Sequence, residues 1–179
     1  TEFAKAVGPI AYIVRARFVG LRDLGPALPP QSAFQIIQGL ETVSLRMEKH
    51  CSNAAKVAEY LSNHNKVSRV IYAGLDEGEA GERANKYLKG GHGALCGIEL
   101  KGGKASGEKF INNLNMFYHV ANIGDARSLA IHPASTTHSQ LSDEDMESAG
   151  VNPSYVRLSI GIEHIDDIIE DLKNALDAA

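Results

Sequence analysis

The sequence contains no tryptophan, only two cysteines and no long hydrophobic run. A membrane-spanning helix needs about 20 consecutive apolar residues, so the absence of such a run excludes one within this stretch of chain. The 179 residues are 44% hydrophobic and 22% charged, a balance that is typical of a folded globular chain. This length fits one domain, or one domain with an appendage.

The two cysteines, Cys51 and Cys96, lie far apart and within apolar patterns. Small secreted proteins that depend on disulfides are much richer in cysteine. We therefore expect two inert, buried thiols, no disulfide framework, and a reducing, cytoplasmic setting.

Clusters of basic side chains are also missing. The net charge is -4, and residues 139–179 hold ten acidic side chains against only Arg157 and Lys173. A protein that binds nucleic acid needs clustered lysine and arginine to replace counterions. We therefore expect neither a nucleic-acid partner nor a membrane partner, and the acidic end is predicted to be a solvated helix face.

The first third of the chain is predicted to be helical. Apolar and basic residues alternate at helical spacing from Phe3 to Leu24, and Gly25-Pro26 ends the pattern. From Ser32 to Leu61, apolar residues recur at steps of three and four without a proline. This spacing predicts one continuous helix of about thirty residues, much longer than the usual ~10–14, and such a helix commonly bridges two layers or domains.

The remainder of the chain mixes short strands with helices, which predicts an α/β fold with a small sheet covered by helices. Its closing helix has an apolar face and an acidic face. Strands are predicted over 67–73, 94–100, 118–121 and 156–160, and helices over 79–88, 106–114 and 165–176.

A polar stretch at 122–142 is rich in hydroxyl groups and histidine and is predicted to be irregular. Long polar loops inside compact domains tend to line functional sites. The separation of His132 and His138 matches no zinc motif, so we expect no metal site here. A nucleophile and base formed by Ser135 or Ser139 with His138 stays open on spacing alone.

Arg157 interrupts an otherwise apolar predicted strand. Arginine is rarely buried without a partner, and its forked donors suit a carboxylate. Two partners fit this position equally well: an acidic side chain of the protein, or the carboxylate of a substrate.

Three segments carry a resemblance to a known family: LRDLGPALPPQSAFQIIQGLETVSLRMEKHCSNAAKVAEYL, SLAIHPASTTHSQLS and GVNPSYVRLSIGIEHIDDIIEDL. They resemble the C-terminal half of the cystathionine gamma-synthase-like enzymes of cysteine and methionine metabolism, which depend on pyridoxal phosphate. The pieces GPALPPQSAF and ANIGD are closer to the O-acetylhomoserine sulfhydrylase branch than to methionine gamma-lyase or cystathionine gamma-lyase.

The resemblance implies a fold-type I, aspartate-aminotransferase-like architecture divided into three parts. Residues 1–30 would end the large cofactor-binding domain, 31–63 would form the long linking helix, and 64–179 would form the C-terminal substrate-carboxylate domain. In this family the cofactor lysine stands in a Ser-x-Thr-Lys motif, and none of the ten lysines here does. Pyridoxal phosphate is therefore expected on a complementary N-terminal half, within a homotetramer built as a dimer of dimers.

The resemblance also implies which residues bind the substrate. Arg157 would grip the α-carboxylate of an amino acid, Asn122 would add a contact to the same group, and Thr137 would lie near the substrate. His132 and His138 are expected to be structural. No catalytic residue, cofactor ligand or metal ligand is expected in this chain.

The activity implied for the intact enzyme is gamma-replacement. O-acetylhomoserine and sulfide, or a thiol, would give homocysteine, or methionine, with acetate. The 179-residue chain alone is expected to be inactive. Two alternatives remain: a gamma-lyase of the same family, and a non-catalytic binding or assembly module.

Overall fold

The computed structural model describes residues 2–179, apart from the side chains at 143 and 147. These residues fall into two compact units, one that ends at Val43 and one that spans 44–179. The first unit contains helices only, and the second contains helices and a five-stranded sheet. Within the described residues, no helix combines the length and the apolarity that crossing a bilayer requires.

Residues 2–23 form a chain of short helical segments, where the sequence predicted one helix. A 3₁₀ turn at Gly8–Ile10 separates α1 (Glu2–Val7) from α2 (Ala11–Arg15), and a π-helical segment, Ala16–Asp23, follows. Pro9 lies at the start of the 3₁₀ turn. Proline has no N–H to donate and its ring crowds the preceding turn, so a regular α-helix cannot continue through it.

The long helix predicted over Ser32–Leu61 is present as two helices. The first, α3 (Pro30–Glu41), and the second, α4 (Val43–Ser62), are separated by Thr42. Thr42 has φ -111 and ψ 8, outside the helical region, and its N–H donates to the carbonyl of Leu40. Because threonine is β-branched and loses side-chain freedom in a helix, it is a favourable place for such a break.

The sheet of the second unit has the order β1-β2-β5-β4-β3. All neighbours are antiparallel except β3 and β4, which are parallel. The last strand in sequence is therefore the central one, with β2 on one side and β4 on the other. The strands are β1 (Val67–Ile71), β2 (Leu95–Leu100), β3 (Tyr118–His119), β4 (Leu129–Ile131) and β5 (Tyr155–Ser159).

One face of this sheet is buried against helices. Side chains alternate along a strand, so Val156 and Leu158 of β5 point into the core, next to Cys96 and Ile98 of β2. The core also contains residues of α4, of α6 (Gly103–Asn113) and of the C-terminal α8 (Ile165–Ala178). The opposite face of β2 and β5 carries Gly97, Glu99, Tyr155 and Arg157.

In the second unit one strand, one 3₁₀ turn (Pro133–Ser135) and one helix were not predicted. The strand β4 lies within the polar stretch that was predicted to be irregular, and the helix α7 (Asp143–Ser148) follows it. A three-residue strand is too short to show alternation, and its pairing with β5 supplies what its own sequence does not. The helix α5 (Gly78–Tyr87) and the other strands agree with the predicted ranges to within a few residues.

Candidate functional site

Arg157 lies in the middle of β5, opposite Gly97 of β2 and Ile131 of β4. Its side chain is half-buried on the face of the sheet that does not carry the core. No described side chain places a carboxylate oxygen within 4.0 Å of its guanidinium. Of the two partners that the sequence left open, an acidic side chain is therefore not observed among the described residues.

The structure brings Arg157 and Asn122 together. The Nη2 group of Arg157 donates to the main-chain carbonyl oxygen of Asn122 at 3.3 Å. Asn122 therefore contacts the guanidinium through its main chain, and its exposed side chain is not the group that holds Arg157.

Residues 122–128, here called the 122–128 loop, are attached to the end of β5 and the residues after it. The N–H of Gly124 donates to Ser159 Oγ at 3.2 Å. Further along, the N–H of Ile162 donates to the carbonyl oxygen of Ala126 at 2.9 Å. These bonds keep the loop beside β5, the strand that carries Arg157.

A half-buried carboxylate, that of Glu163, closes the other end of the 122–128 loop. Glu163 accepts from the N–H of Ser128 at 2.6 Å and from its hydroxyl at 3.0 Å. The Ser128 hydroxyl oxygen in turn accepts from the N–H of Gly161 at 2.9 Å. A Cβ at position 161 would lie 2.5 Å from both Ala126 O and Ser128 N, so the close approach of the two segments requires glycine.

Helix α4 fixes the same segment from the core side. His50 Nδ1 lies 2.6 Å from the carbonyl oxygen of Ile160, which can only accept, so this nitrogen carries the proton. Asn53 Nδ2 donates to the carbonyl oxygens of Gly161 and Glu163 at 3.0 and 2.9 Å. Both side chains are buried, so a rigid helix supports the segment that holds the loop.

A cavity of about 450 Å³ opens on the face of the sheet that carries Arg157. Strand side chains and residues after β4 line it together. Among the lining residues are Arg69, Glu99, Thr137, His138, Tyr155 and Arg157. The cavity thus contains two of the three predicted substrate-binding residues, Arg157 and Thr137, and Asn122 contacts the first of them.

Thr137 and His138 meet at the rim of this cavity. Thr137 Oγ1 lies 2.9 Å from His138 Nδ1, and Thr137 is exposed. The described hydrogen bonds do not include the pairing of Ser135 or Ser139 with His138 that the sequence left open. Ser135 Oγ bonds to His132, and Ser139 Oγ donates to the carbonyl oxygen of Thr136.

His132 is a buried structural residue, as expected. Its Nε2 lies 2.8 Å from the carbonyl oxygen of Pro153, so Nε2 carries a proton, and Nδ1 accepts from Ser135 Oγ at 2.8 Å in the neutral ring. The ring thereby joins the end of β4 to the turn before β5. Among the described residues, no group of three or more His, Cys, Asp or Glu is arranged to hold a metal ion.

Sequence reasoning did not identify several polar residues of the cavity, among them Arg69, Glu99 and Tyr155. Arg69 Nη1 lies 3.8 Å from Glu99 Oε1, and the Glu99 side chain is only 17% exposed. Burial raises the pKa of Tyr155, and the positive charge of Arg157 acts in the opposite direction. The two-residue repeat along β5 could have placed Tyr155 beside Arg157. The register that puts Glu99 opposite Tyr155 is visible only in the fold.

The cavity residues do not fit attachment of pyridoxal phosphate, the cofactor that the resemblance implies. A Schiff base needs a lysine amine, and none of the described residues that line the cavity is a lysine. Two lysine ammonium groups bond to main-chain carbonyl oxygens elsewhere. Lys66 Nζ donates to that of Leu176 at 2.8 Å, and Lys101 Nζ donates to that of Asn65 at 2.7 Å.

The cysteines differ in burial. Cys96 is fully buried in the core, and burial raises the pKa of its thiol to about 12, so it is inert as expected. Cys51 is half-buried, which corrects the expectation that both thiols are buried.

Comparison with known proteins gives a family match over nearly the whole chain. The family model described as "Cys/Met metabolism PLP-dependent enzyme" matches residues 6–177. Among solved structures, the chain is similar to a Campylobacter jejuni protein assigned as an O-acetylhomoserine (thiol)-lyase and crystallised with pyridoxyl-lysine monophosphate. The TM-score is 0.82 at 43% identity, over 94% of this chain and 40% of the other. The predicted α/β class is confirmed.

Three curated relatives have similar coverage. An O-acetyl-L-homoserine sulfhydrylase of Leptospira meyeri is 55% identical over 93% of this chain and 38% of its own length. A homocysteine synthase of Schizosaccharomyces pombe is 46% identical over 99% and 41%. An L-methionine gamma-lyase of Fusobacterium nucleatum subsp. polymorphum is 45% identical over 90% and 41%. The chain therefore spans about two fifths of the length of these relatives.

Proposed function

Because this chain belongs to the family of Cys/Met metabolism PLP-dependent enzymes, we propose that it is part of an O-acetylhomoserine sulfhydrylase. The enzyme would convert O-acetylhomoserine and sulfide, or a thiol, into homocysteine, or methionine, and acetate by gamma-replacement. The names of the relatives from Leptospira meyeri and Schizosaccharomyces pombe support this substrate class.

The role of this chain would be to bind the α-carboxylate of the amino-acid substrate through Arg157. One observation carries this role: Arg157 is half-buried, and its guanidinium faces a cavity and has no carboxylate partner among the described side chains. Arginine stays charged at every physiological pH, and its two forked N–H groups match the two oxygens of a carboxylate. A carboxylate in the cavity would supply the charge partner that the described side chains do not.

Asn122 and Thr137 would support the binding of the substrate carboxylate by Arg157. The Asn122 carbonyl accepts from one nitrogen of Arg157, which restricts the plane of the guanidinium and leaves its other donors without a described protein acceptor. The Thr137 hydroxyl lies at the cavity, where it would contact the bound amino acid.

The Schiff-base lysine would come from a complementary N-terminal segment of the enzyme. In that enzyme, residues 1–30 would end the cofactor-binding domain, 31–63 would link the two domains, and 64–179 would bind the carboxylate. We further propose a homotetramer in the cytoplasm. Sedimentation of the complete enzyme would test the oligomeric state, and a dimer or monomer at assay concentrations would contradict it.

The test is a steady-state assay of the complete enzyme that contains this chain, loaded with pyridoxal phosphate. O-acetylhomoserine and sulfide should give homocysteine. Arg157→Ala should lower kcat/KM about a hundredfold, because a charge-assisted hydrogen bond to the substrate is lost. The matched control is Arg83→Ala, an exposed arginine of α5 paired with Glu79, which should retain wild-type kinetics. Equal effects of the two substitutions would contradict the role of Arg157.

The second candidate function is that of a methionine gamma-lyase, because a relative of that name is 45% identical. Assay with methionine alone distinguishes the two. Release of a thiol from methionine, without synthesis from O-acetylhomoserine and sulfide, would favour the lyase. A non-catalytic binding module would give neither reaction.

A further inference from the structure

Ser159 occupies the same strand and the same sheet face as Arg157, two residues later. It is only 2% exposed, and its hydroxyl oxygen accepts the N–H of Gly124 at 3.2 Å. Two alternate residues of β5 therefore hold two alternate residues of the 122–128 loop, since Arg157 bonds to Asn122 and Ser159 to Gly124.

The position of the Asn122 carbonyl depends on this attachment. Asn122 lies between β3 and β4, outside regular secondary structure, and residues 121–125 are exposed. Within the described chain, Arg157 and Ser159 provide the only side chains from outside the loop that bond to the main chain of residues 121–125. If the bond of Ser159 is lost, the loop can move, and the carbonyl that restrains the guanidinium moves with it.

A guanidinium at the end of a long side chain adopts many orientations unless an acceptor restricts it. The fork must present two N–H groups in the plane of an incoming carboxylate to bind it in bidentate fashion. An acceptor fixed on one nitrogen sets that plane before the ligand arrives, which reduces the entropy that binding must lose.

We propose that Ser159 is a positioning residue of the substrate-carboxylate site: it anchors Gly124 and thereby holds the Asn122 carbonyl where it orients Arg157. This role rests on the proposed function of Arg157 in binding the substrate. Ser159 acts through the loop and touches no substrate itself.

The first test is Ser159→Ala in the complete, cofactor-loaded enzyme. KM for O-acetylhomoserine, or for methionine if the enzyme is a lyase, should rise about three- to tenfold, with a smaller change in kcat, because a neutral hydrogen bond is lost. Ser159→Thr, which keeps the hydroxyl, should reverse most of this rise in KM. The matched control is Ser62→Ala, whose hydroxyl donates to Ala58 O within α4 and does not line the cavity. It should leave KM unchanged.

The second test distinguishes positioning from general structural support. In an Arg157→Ala background, Ser159→Ala should raise KM by less than about twofold, because the group that it orients is already gone. If Ser159 only stabilised the fold, the same factor would appear in both backgrounds, and this result would overturn the proposal.

The outcomes separate the two claims. If Arg157→Ala leaves KM unchanged, the proposed function of Arg157 fails. If Arg157→Ala raises KM while Ser159→Ala behaves like Ser62→Ala, only the role of Ser159 fails. Should Ser159→Ala not fold, Gly124→Ala displaces the same N–H from the loop side, because φ is +76 at this position. That variant should also raise KM, and a wild-type KM would overturn the proposal.

Discussion

The two compact units show the same helical periodicity and differ in what they bury. None of residues 2–43 is buried, and large apolar side chains such as Tyr12 and Leu24 are 84% and 78% exposed. Residues 44–179 contain a contiguous core of apolar side chains between one face of the sheet and helices α4, α6 and α8. An apolar stripe therefore shows which face of a helix needs a partner, without showing that the partner lies in the same unit.

Helices α3 and α4, which are consecutive in the sequence, show this difference in burial. α3 buries no residue, although Phe34, Ile37 and Leu40 recur at helical spacing. α4 buries a stripe that ends at Leu61 and that includes two polar residues, His50 and Asn53. Because these two bond to the segment after β5, the second helix contributes to the site as well as to the core.

The largest expected difference between the units is the loss in the free energy of unfolding when a phenylalanine is replaced by alanine. Phe110→Ala leaves a cavity in the core, where the side chain is fully buried, and should lower the free energy of unfolding by about 3–5 kcal/mol. Phe34→Ala, at a side chain that is 54% exposed, should cost less than about 1 kcal/mol. Urea unfolding of the two variants measures both values, and equal losses would contradict the comparison.

A buried carboxylate of the second unit gives the next largest effect. Asp171 accepts from the N–H groups of Asn115, Met116 and Phe117 at 2.9 to 3.3 Å. Asp171→Ala leaves these donors without their acceptor and should lower the free energy of unfolding by about 2–3 kcal/mol. Asp177→Ala, an exposed acid on the same helix, is the control and should change it by less than about 0.5 kcal/mol.

The dependence of stability on alkaline pH tests the burial of the Cys96 thiol in the core. Burial raises the pKa of this thiol from 9.0 to about 12, so the folded protein keeps a proton that the unfolded chain loses in this range. The contribution of this protonated thiol to the free energy of unfolding is therefore complete below pH 9. It is lost as the pH rises towards 12, by up to about 1.4 kcal/mol per pH unit. Unfolding of wild type and Cys96→Ala across this range should show a steeper loss in wild type. Parallel curves would contradict the assignment.

The smallest effect on stability is expected at the exposed apolar residues of the first unit. Ile36→Ser should change the free energy of unfolding by less than about 0.5 kcal/mol, because the side chain is already 53% exposed. The same substitution, combined with Ile10→Ser and Ile13→Ser, should reduce the binding of a hydrophobic dye and the self-association of the isolated chain. A monomeric wild-type chain that binds no dye would contradict this expectation.

Periodicity was sufficient to predict most elements of the second unit. The closing helix, the strand with Arg157 and the strand with Cys96 were all located from apolar spacing to within two residues. In the first unit the same spacing missed the interruptions at Pro9 and Thr42, because a local backbone break changes few side-chain positions.

The site could be predicted only in part. Arg157 interrupts an apolar strand, and the resemblance supplied Asn122 and Thr137, but the bond from Arg157 to the Asn122 main chain depends on how a loop lies beside a strand. Ser159 and Glu163 looked like ordinary polar residues in the sequence. Their partners Gly124 and Ser128 lie 35 residues earlier, and only the three-dimensional pairing of the two segments shows the connection.

The central claim is that Arg157 binds the carboxylate of an amino acid. The most direct measurement compares the binding of an amino-acid ligand and of the corresponding amine without the carboxylate, in the complete enzyme and in its Arg157→Ala variant. The wild-type enzyme should prefer the amino acid by about a hundredfold, and this preference should almost vanish in the variant. An Arg157→Ala enzyme that still prefers the amino acid by the wild-type factor would contradict the claim.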